Sequence, residues 1–194
     1  MKNTIILTFI IVLLYIFIFL NKSNLKYVES SNTGIKYLVK NDKNKKESAI
    51  LLEKIILNMY NLRNHLIKNI ENYPDMKKYI KLLETNFNKS RTTIYENSDN
   101  KDLTSYSVNK GEEIVFCLKS RKSNKNHKIN TIMYVAIHEM GHLACPEIGH
   151  TPLYNSIFKF LTEEAIKLKL YEPVKYSQNP TEYCGMVITS NILY

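Results

Sequence analysis

The stretch His138-Glu139-Met140-Gly141-His142 is an HExxH sequence, and His150 follows it eight residues later. Two histidines four residues apart lie on one face of an α-helix, so both rings can reach a single ion. Glu139 lies about a quarter-turn away, too far round to be a ligand but able to hydrogen-bond a water on the metal. Catalytic zinc takes three protein ligands and leaves a fourth position open. The stretch therefore predicts Zn²⁺ held by His138, His142 and His150, with Glu139 as general base.

The residues around this stretch predict a helix over 130–144. Asn130 is a candidate N-cap, and apolar residues recur at helical spacing at Ile132, Val135, Ala136, Met140 and Leu143. Pro146 disfavours helical geometry at Cys145, so we expect the helix to end just after His142. The alternative is a core helix with two hydrogen-bonded histidines; the third histidine favours the metal site.

The segment from His138 to Phe158 resembles the HExxH zinc metallopeptidases known as zincins. It is most similar to the small proteases of the WLM and SprT-like kind, including metallopeptidases of large nucleocytoplasmic DNA viruses. Those families place a third zinc histidine shortly after HExxH and an aromatic residue four positions beyond it, where this chain has His150 and Tyr154. The gap between His142 and His150 is longer than in metzincins and lacks their glycine. The resemblance covers residues 132–171 and implies a zincin fold and peptide hydrolysis.

Peptide hydrolysis at such a site needs three contributions. Zinc lowers the pKa of bound water and polarises the carbonyl group. Glu139 would take the water proton and deliver it to the leaving nitrogen. An oxyanion donor is also required, and Tyr176 and Tyr183 are candidates, although packing is the alternative role in a chain with 14 tyrosines.

The third ligand has rivals. His150 follows Gly149 and precedes Thr151-Pro152, which suits a turn back toward the helix. Glu163 or Glu164 in the next helix could replace it, as in zincins of the glutamate type, or could form a solvated face or orient a histidine. Cys145 is disfavoured because it would have to bind from the end of the helix.

The N-terminus carries an uncharged apolar run, Thr4–Leu20. As a helix it would be about 25 Å long, near the lower limit for crossing a bilayer. We predict an uncleaved transmembrane anchor, and hence a single-pass membrane protein in a virion or host internal membrane. The alternative is a cleaved signal peptide, which would make the protein secreted or luminal.

The remaining chain predicts one domain of the α+β class. Residues 21–46 are rich in lysine and read as a basic polar tether, and residues 47–194 suffice for one zincin-like metallopeptidase domain. The predicted helices are 47–72, 75–87, 130–144 and 152–170, and the predicted strands are 91–95, 104–108 and 113–118. The last two strands form a hairpin through the turn 109–112, giving a small sheet beside the metal helix.

The net charge of +9 does not by itself indicate a nucleic-acid partner. Only three of the 27 basic residues are arginine, and abundant Lys, Asn and Ile are what an AT-rich coding sequence produces. The tether could equally lie on anionic lipid. A cluster of basic residues precedes the metal helix: Lys119, Arg121, Lys122, Lys125 and Lys128. It is interpreted either as a solvated loop or as the rim of a site that attracts acidic substrates or phosphates.

The three cysteines fit no metal-finger spacing. Cys117 lies in a strand pattern and reads as a small buried hydrophobe. Cys145 and Cys184 could pair in an oxidising compartment, which would tie the C-terminal segment to the metal site.

Taken together, these features predict a membrane-anchored zinc endopeptidase that acts on a protein or peptide substrate. One alternative is a catalytically idle zinc-site protein, such as a structural component of a virion membrane; Glu139 argues against it, because a structural zinc site needs no base. The other is a DNA-associated SprT-like protease.

Overall fold

The computed structural model describes residues 24–98 and 104–194. In that part of the chain, helices and short strands mix without a repeating order, which confirms the α+β class. The elements, in chain order, are β1 Leu25–Glu29, β2 Lys36–Lys40, α1 Lys45–Lys68, α2 Lys77–Asn86, β3 Thr93–Glu96, β4 Tyr106–Val108, β5 Glu113–Phe116, α3 Ile129–Ala144, α4 Pro152–Lys167, β6 Thr181–Tyr183 and β7 Met186–Ile188.

Helix α3 lies at the centre of the core. Apolar residues on several of its faces are fully buried, among them Ile132, Ile137 and Met140. It packs against α1, α2 and α4, so the helix that carries His138 and His142 also buries apolar side chains against three neighbouring helices. The core therefore sets where the histidines lie.

The predicted N-cap of this helix is wrong. The N-cap is Lys128, and its side chain makes no capping hydrogen bond. Asn130 instead exchanges two hydrogen bonds with the backbone of Glu172, donating at 2.9 Å and accepting at 2.8 Å. Its side chain serves a tertiary contact that a capping pattern cannot reveal. At the other end the helix runs two residues beyond His142, and Cys145 is extended as the following proline requires.

The predicted hairpin is confirmed. Strands β4 and β5 pair antiparallel, and β3 joins the other side of β5 in parallel, giving the order β3-β5-β4. In the connecting turn Asn109, Lys110 and Gly111 all have positive φ. A Cβ at Gly111 would lie 2.5 Å from the backbone oxygen of Asn86, so only glycine fits where the turn meets α2. The turn thereby holds β4 beside α3.

The stretch predicted as a tether differs from expectation. Strands β1 and β2 within it form an antiparallel hairpin. The buried Glu53 of α1 accepts hydrogen bonds from Ser30 at 2.7 Å, from Asn32 at 2.9 Å and from Thr33. The lysines of this stretch predicted a tether, whereas its fold depends on hydrogen bonds to Glu53, which lies 20 or more residues further along the chain.

The predicted localisation as a single-pass membrane protein is wrong for the part of the chain that the structure describes. Across residues 24–98 and 104–194, none of the helices combines the length and the apolar character that crossing a bilayer requires. The predicted anchor Thr4–Leu20 lies outside the described residues.

Cys145 and Cys184, which the sequence left open as candidates for a disulfide, do not pair with each other. Cys184 bonds Cys117, with an S–S distance of 2.03 Å, and Cys145 is a buried free thiol. The end of β5 and the turn between β6 and β7 meet in space, which brings the Cα atoms of the bonded pair to 6.0 Å. Because Cys117 and Cys184 are 67 residues apart in the sequence, no local pattern indicated that they meet.

Replacing Gly111 by alanine tests the close contact of the β4–β5 turn. We expect Gly111→Ala to lower the free energy of unfolding by about 3 kcal/mol or more, because strain at positive φ adds to a clash with backbone. Gly149→Ala is the matched control, since Gly149 also has positive φ but a Cβ there would meet nothing within 4 Å; it should cost about 1 kcal/mol. Urea denaturation measures both, and equal losses would contradict the role given to the contact.

Candidate metal centre

Three histidine side chains converge at the C-terminal end of α3. Nε2 of His138 lies 3.2 Å from Nε2 of His142, one helical turn away, and 3.2 Å from Nε2 of His150, in the loop before α4. Ligand atoms of one tetrahedral zinc ion are about 3.3 Å apart, given bonds of about 2.0–2.1 Å. Three imidazole nitrogens at this spacing form a donor set that suits zinc.

The surroundings favour the neutral form of His138 and of His142. Burial, with smaller contributions from its neighbours His142 and His150, lowers the pKa of His138 to about 3. Burial likewise lowers the pKa of His142 to about 4, with smaller contributions from His150 and Lys110. Metals bind the neutral imidazole, so these rings are held in the form that a metal requires.

Tyr154 of α4 packs against the histidine rings. Its ring stacks on His142 with a centroid distance of 4.3 Å, and its hydroxyl donates to the backbone oxygen of His138 at 3.1 Å. The missing side chain of Gly141 makes this possible, because a Cβ there would lie 3.1 Å from the tyrosine ring. Thr151 caps α4 by accepting from the backbone N–H of Tyr154.

Lys110 holds the loop that carries His150. Its ammonium group donates to the backbone oxygens of His142, Cys145 and Glu147, at 3.3, 2.7 and 2.7 Å. A cation at the end of α3 also interacts favourably with the helix dipole. The β4–β5 turn therefore fastens the last turn of α3 to the loop beyond it.

Glu139 occupies a dry position beside the histidines. The residue is buried, and burial raises the pKa of its carboxyl group to about 7, while a hydrogen bond from Ser107 of β4 acts in the opposite direction. A general base works best when its pKa is near the working pH. The position therefore suits proton transfer.

The two tyrosines considered as oxyanion donors lie in different places. Tyr183 borders the site, and its hydroxyl lies 2.5 Å from Oγ of Ser105, the residue just before β4. Burial and the nearby carboxylate of Glu139 raise the pKa of Tyr183, so the hydroxyl keeps its proton. Tyr176 packs against Tyr134 in the core, with a centroid distance of 5.3 Å.

The rival ligands lie elsewhere. Glu164 is buried, accepting from the hydroxyl of Tyr73 at 2.7 Å and pairing with Lys167 at 2.6 Å. Glu163 is exposed to water. Within residues 24–98 and 104–194, the three histidines are the one group of three or more potential ligands that converge, and neither glutamate nor Cys145 belongs to it.

Two clefts meet at the histidines. They share Ser105, His138, Glu139 and His150. The first, here called the apolar cleft, has a volume of about 510 Å³ and extends between α3 and the C-terminal segment 186–192. The second, here called the polar cleft, has a volume of about 580 Å³ and extends along β4 to Lys110 and Glu147. An extended chain could contact both.

The basic cluster before α3 is divided. Lys119 is buried, with its ammonium group 2.5 Å from Asp42 and 3.5 Å from Glu96, so it supports the fold. The other four members of the cluster are exposed on the loop that follows.

Sequence reasoning missed three residues at this site: Ser105, Ser107 and Lys110. In a β-strand, residues two apart share a face, so this alternation could have placed the two serines together once β4 was predicted. No local signal links Lys110 to carbonyl groups 32 to 37 residues further along the chain.

Comparison with known proteins finds viral relatives. The chain is 40% identical over 191 residues to the uncharacterized protein R325 of Acanthamoeba polyphaga mimivirus, covering 98% of this chain and 96% of that protein. It is 37% identical over 73 residues to the uncharacterized protein 136R of Invertebrate iridescent virus 6, covering 37% of this chain and 40% of that protein. It is 36% identical over 86 residues to the uncharacterized protein 042R of Invertebrate iridescent virus 3, covering 44% of this chain and 52% of that protein.

No protein-family model matches the chain. Among solved structures, the crystal structure of Wss1 from Saccharomyces cerevisiae gives a TM-score of 0.47 at 18% identity, covering 68% of this chain and 88% of that chain. At that distance the likeness does not bear on function.

Removing the ammonium group of Lys110 tests its hold on the loop. Because three carbonyl groups lose a charged donor, we expect Lys110→Met to lower the free energy of unfolding by about 1–2 kcal/mol. Hydrogen exchange of residues 146–150, followed by mass spectrometry, should accelerate. Lys125→Met, which removes an exposed lysine, is the control. Unchanged exchange in Lys110→Met would show that the loop is held by other contacts.

The buried carboxyl group of Glu139 should make stability depend on pH in the metal-free protein. Since burial raises its pKa from 4.5 to about 7, the folded state binds the proton more tightly than the unfolded chain. Stability is therefore lost as pH rises through this interval. Glu139→Gln removes the loss, so its stability relative to wild type should grow between pH 5 and pH 8 by roughly 3 kcal/mol.

Urea denaturation in the presence of a chelator measures this difference. Glu163→Gln changes an exposed glutamate and should follow wild type at both pH values. A constant difference between Glu139→Gln and wild type would mean that the buried carboxyl group does not titrate in this range.

Proposed function

This chain belongs to the same family as the mimivirus relative, and we propose that it is a zinc-dependent endopeptidase. One observation carries the proposal: the three converging imidazoles and the buried carboxyl group of Glu139 lie together where two clefts meet. A metal ligand set, a base of suitable pKa and room for an extended chain are the parts that metal-assisted peptide hydrolysis requires.

His138, His142 and His150 would hold the zinc ion. When bound, zinc lowers the pKa of a coordinated water and polarises the carbonyl group of the scissile bond. Tyr154 would keep two of the rings in place, through its stacking on His142 and its hydrogen bond to the backbone of His138.

Glu139 would move the proton. Its carboxylate takes a proton from the attacking water and gives it to the leaving nitrogen, which must be protonated before the peptide bond can break. Ser107 would orient the carboxylate through its hydrogen bond. A pKa near neutrality allows the same group to accept and then release the proton.

Tyr183 is the residue that we assign to the developing oxyanion. Its hydroxyl stays protonated, borders the cleft and lies against Ser105. A hydroxyl donor in a site poor in water stabilises negative charge more than it would in solution. Tyr176 has no such position.

A catalytically idle zinc protein remains the second candidate. The dry environment of Glu139 favours the enzyme, because burying a carboxyl group costs free energy that a structural zinc site would not require.

Metal content and hydrolysis together test the proposal. The full chain should purify with about one zinc per molecule and should cleave an unfolded protein substrate. We expect His138→Ala and His150→Ala to lose zinc, and Glu139→Gln to keep zinc while its kcat falls by at least about 10²-fold. Glu163→Ala should retain both properties, because its side chain lies outside the histidine cluster.

Atomic absorption and a gel-based cleavage assay provide the readouts. Zinc without hydrolysis in wild type would favour the idle protein. Loss of zinc in Glu163→Ala but not in His150→Ala would give the third position to the glutamate.

A further inference from the structure

We propose that the site selects polypeptide segments with a large apolar side chain next to the scissile bond, and that the apolar cleft receives this side chain. The inference rests on the proposed function and names its class of substrate. It follows from the charged side chains that line the two clefts: Lys110 and Glu147 line the polar cleft, and neither lines the apolar cleft.

The apolar cleft has almost no charge. Among the described residues that line it, Glu139 is the sole acid, and there is no lysine or arginine, in a chain with 45 charged residues, the sum of 27 basic and 18 acidic. Its apolar lining comes from α3, α4 and the C-terminal segment, and includes Tyr134, Val135, Phe158, Val187, Ile188 and Ile192. A charged substrate side chain would lose water there, and the lining offers it no lysine or arginine and only one carboxyl group, that of Glu139.

Part of this lining is open to water. Met186 is 51% exposed and Val187 is 48% exposed, and both lie on β7 at the cleft. Neighbouring apolar side chains exposed beside a concave site commonly mark a binding surface. Methionine also adapts to ligands of different shape because its side chain is unbranched and flexible.

Hydrogen bonds and a disulfide hold the C-terminal segment in place, and this segment forms one side of the apolar cleft. Asn191 is buried and donates to the hydroxyl of Tyr171 at 2.8 Å and to the backbone oxygen of Val174 at 3.0 Å. The backbone N–H of Ile192 donates to the hydroxyl of Tyr134 at 2.9 Å. The disulfide at Cys184 fixes the other end of the segment. The cleft is therefore preformed, which favours selection by fit.

The polar cleft lacks this selectivity. It contains a cation, Lys110, and an acid, Glu147, and both are engaged by neighbouring groups of the protein. Neither sign of charge is excluded from it. We therefore expect strong selection on one side of the scissile bond and weak selection on the other.

Peptide pairs that differ at a single position test the inference. With the zinc-loaded full chain, peptides carrying Leu or Phe next to the cleaved bond should be hydrolysed with kcat/KM at least about tenfold above peptides carrying Lys or Asp. Mass spectrometry of the products identifies the bond and the side on which the preference lies.

A charge placed in the apolar cleft should change the preference. Met186→Lys should lower kcat/KM for the Leu peptide by about tenfold and raise kcat/KM for the Asp peptide. Met186→Asp should also lower kcat/KM for the Leu peptide by about tenfold, and it should raise kcat/KM for the Lys peptide. Leu57→Lys and Leu57→Asp are matched controls, since Leu57 is 50% exposed on α1 and does not line either cleft. Both controls should keep the wild-type preference.

Binding separates this inference from the proposed function. Fluorescence anisotropy of the same peptides on zinc-loaded Glu139→Gln reports selection without turnover. Hydrolysis by wild type with equal kcat/KM for all peptides, unchanged by either Met186 substitution, would overturn the inference and leave the endopeptidase intact. Selective binding that the Met186 substitutions reverse, without hydrolysis by wild type, would support the apolar cleft as a peptide site and overturn the endopeptidase.

Discussion

Helix α3 packs against α1, α2 and α4, and this packing alone, without a ligand, sets the rotation of the helix about its own axis. Ile132, Ile137 and Met140 are fully buried, and turning the helix would expose them. The HExxH residues share the same helix, and their directions follow from that rotation. His138 and Glu139 line both clefts and His142 lines the polar cleft, while the side chain of Glu139 is the most buried of the three. The apolar core therefore sets the geometry of a polar site.

The end of this helix depends on donors from other elements. The last carbonyl groups of an α-helix have no partner within the helix. Asn86 of α2 donates to the backbone oxygen of Leu143 at 2.8 Å, and Lys110 of the β4–β5 turn donates to that of His142 and to carbonyl groups in the loop beyond. The tight contact at Gly111 brings this turn close enough. The loop that carries His150 thus has a defined position relative to α3.

Burial shifts the pKa of His138 and the pKa of Glu139 in opposite directions, and both shifts favour the neutral side chain. It lowers the pKa of His138 and raises the pKa of Glu139, because it disfavours the charged form of each. His138 and His142 are thereby held in the neutral form that a metal would require, and the pKa of Glu139 lies in the range that the proposed proton transfer would require.

The order of the predicted elements indicated the α+β class, and the third ligand stayed open between His150, Glu163 and Glu164. The sequence by itself determined the local features: the helix around HExxH, the shared face of His138 and His142, and the β4–β5 hairpin. Each of these rests on residues a few positions apart, where spacing alone fixes which side chains share a face. Only the tertiary structure decided the partner of Cys184, the role of Asn130, the hairpin formed by β1 and β2, and the hold of Lys110 on the loop. The disulfide and the contacts of Asn130 and Lys110 join groups 32 to 67 residues apart, and the β1–β2 hairpin is tied to Glu53 of α1 across 20 or more residues. These groups meet only when the apolar faces of the helices pack, a contact that no local pattern encodes.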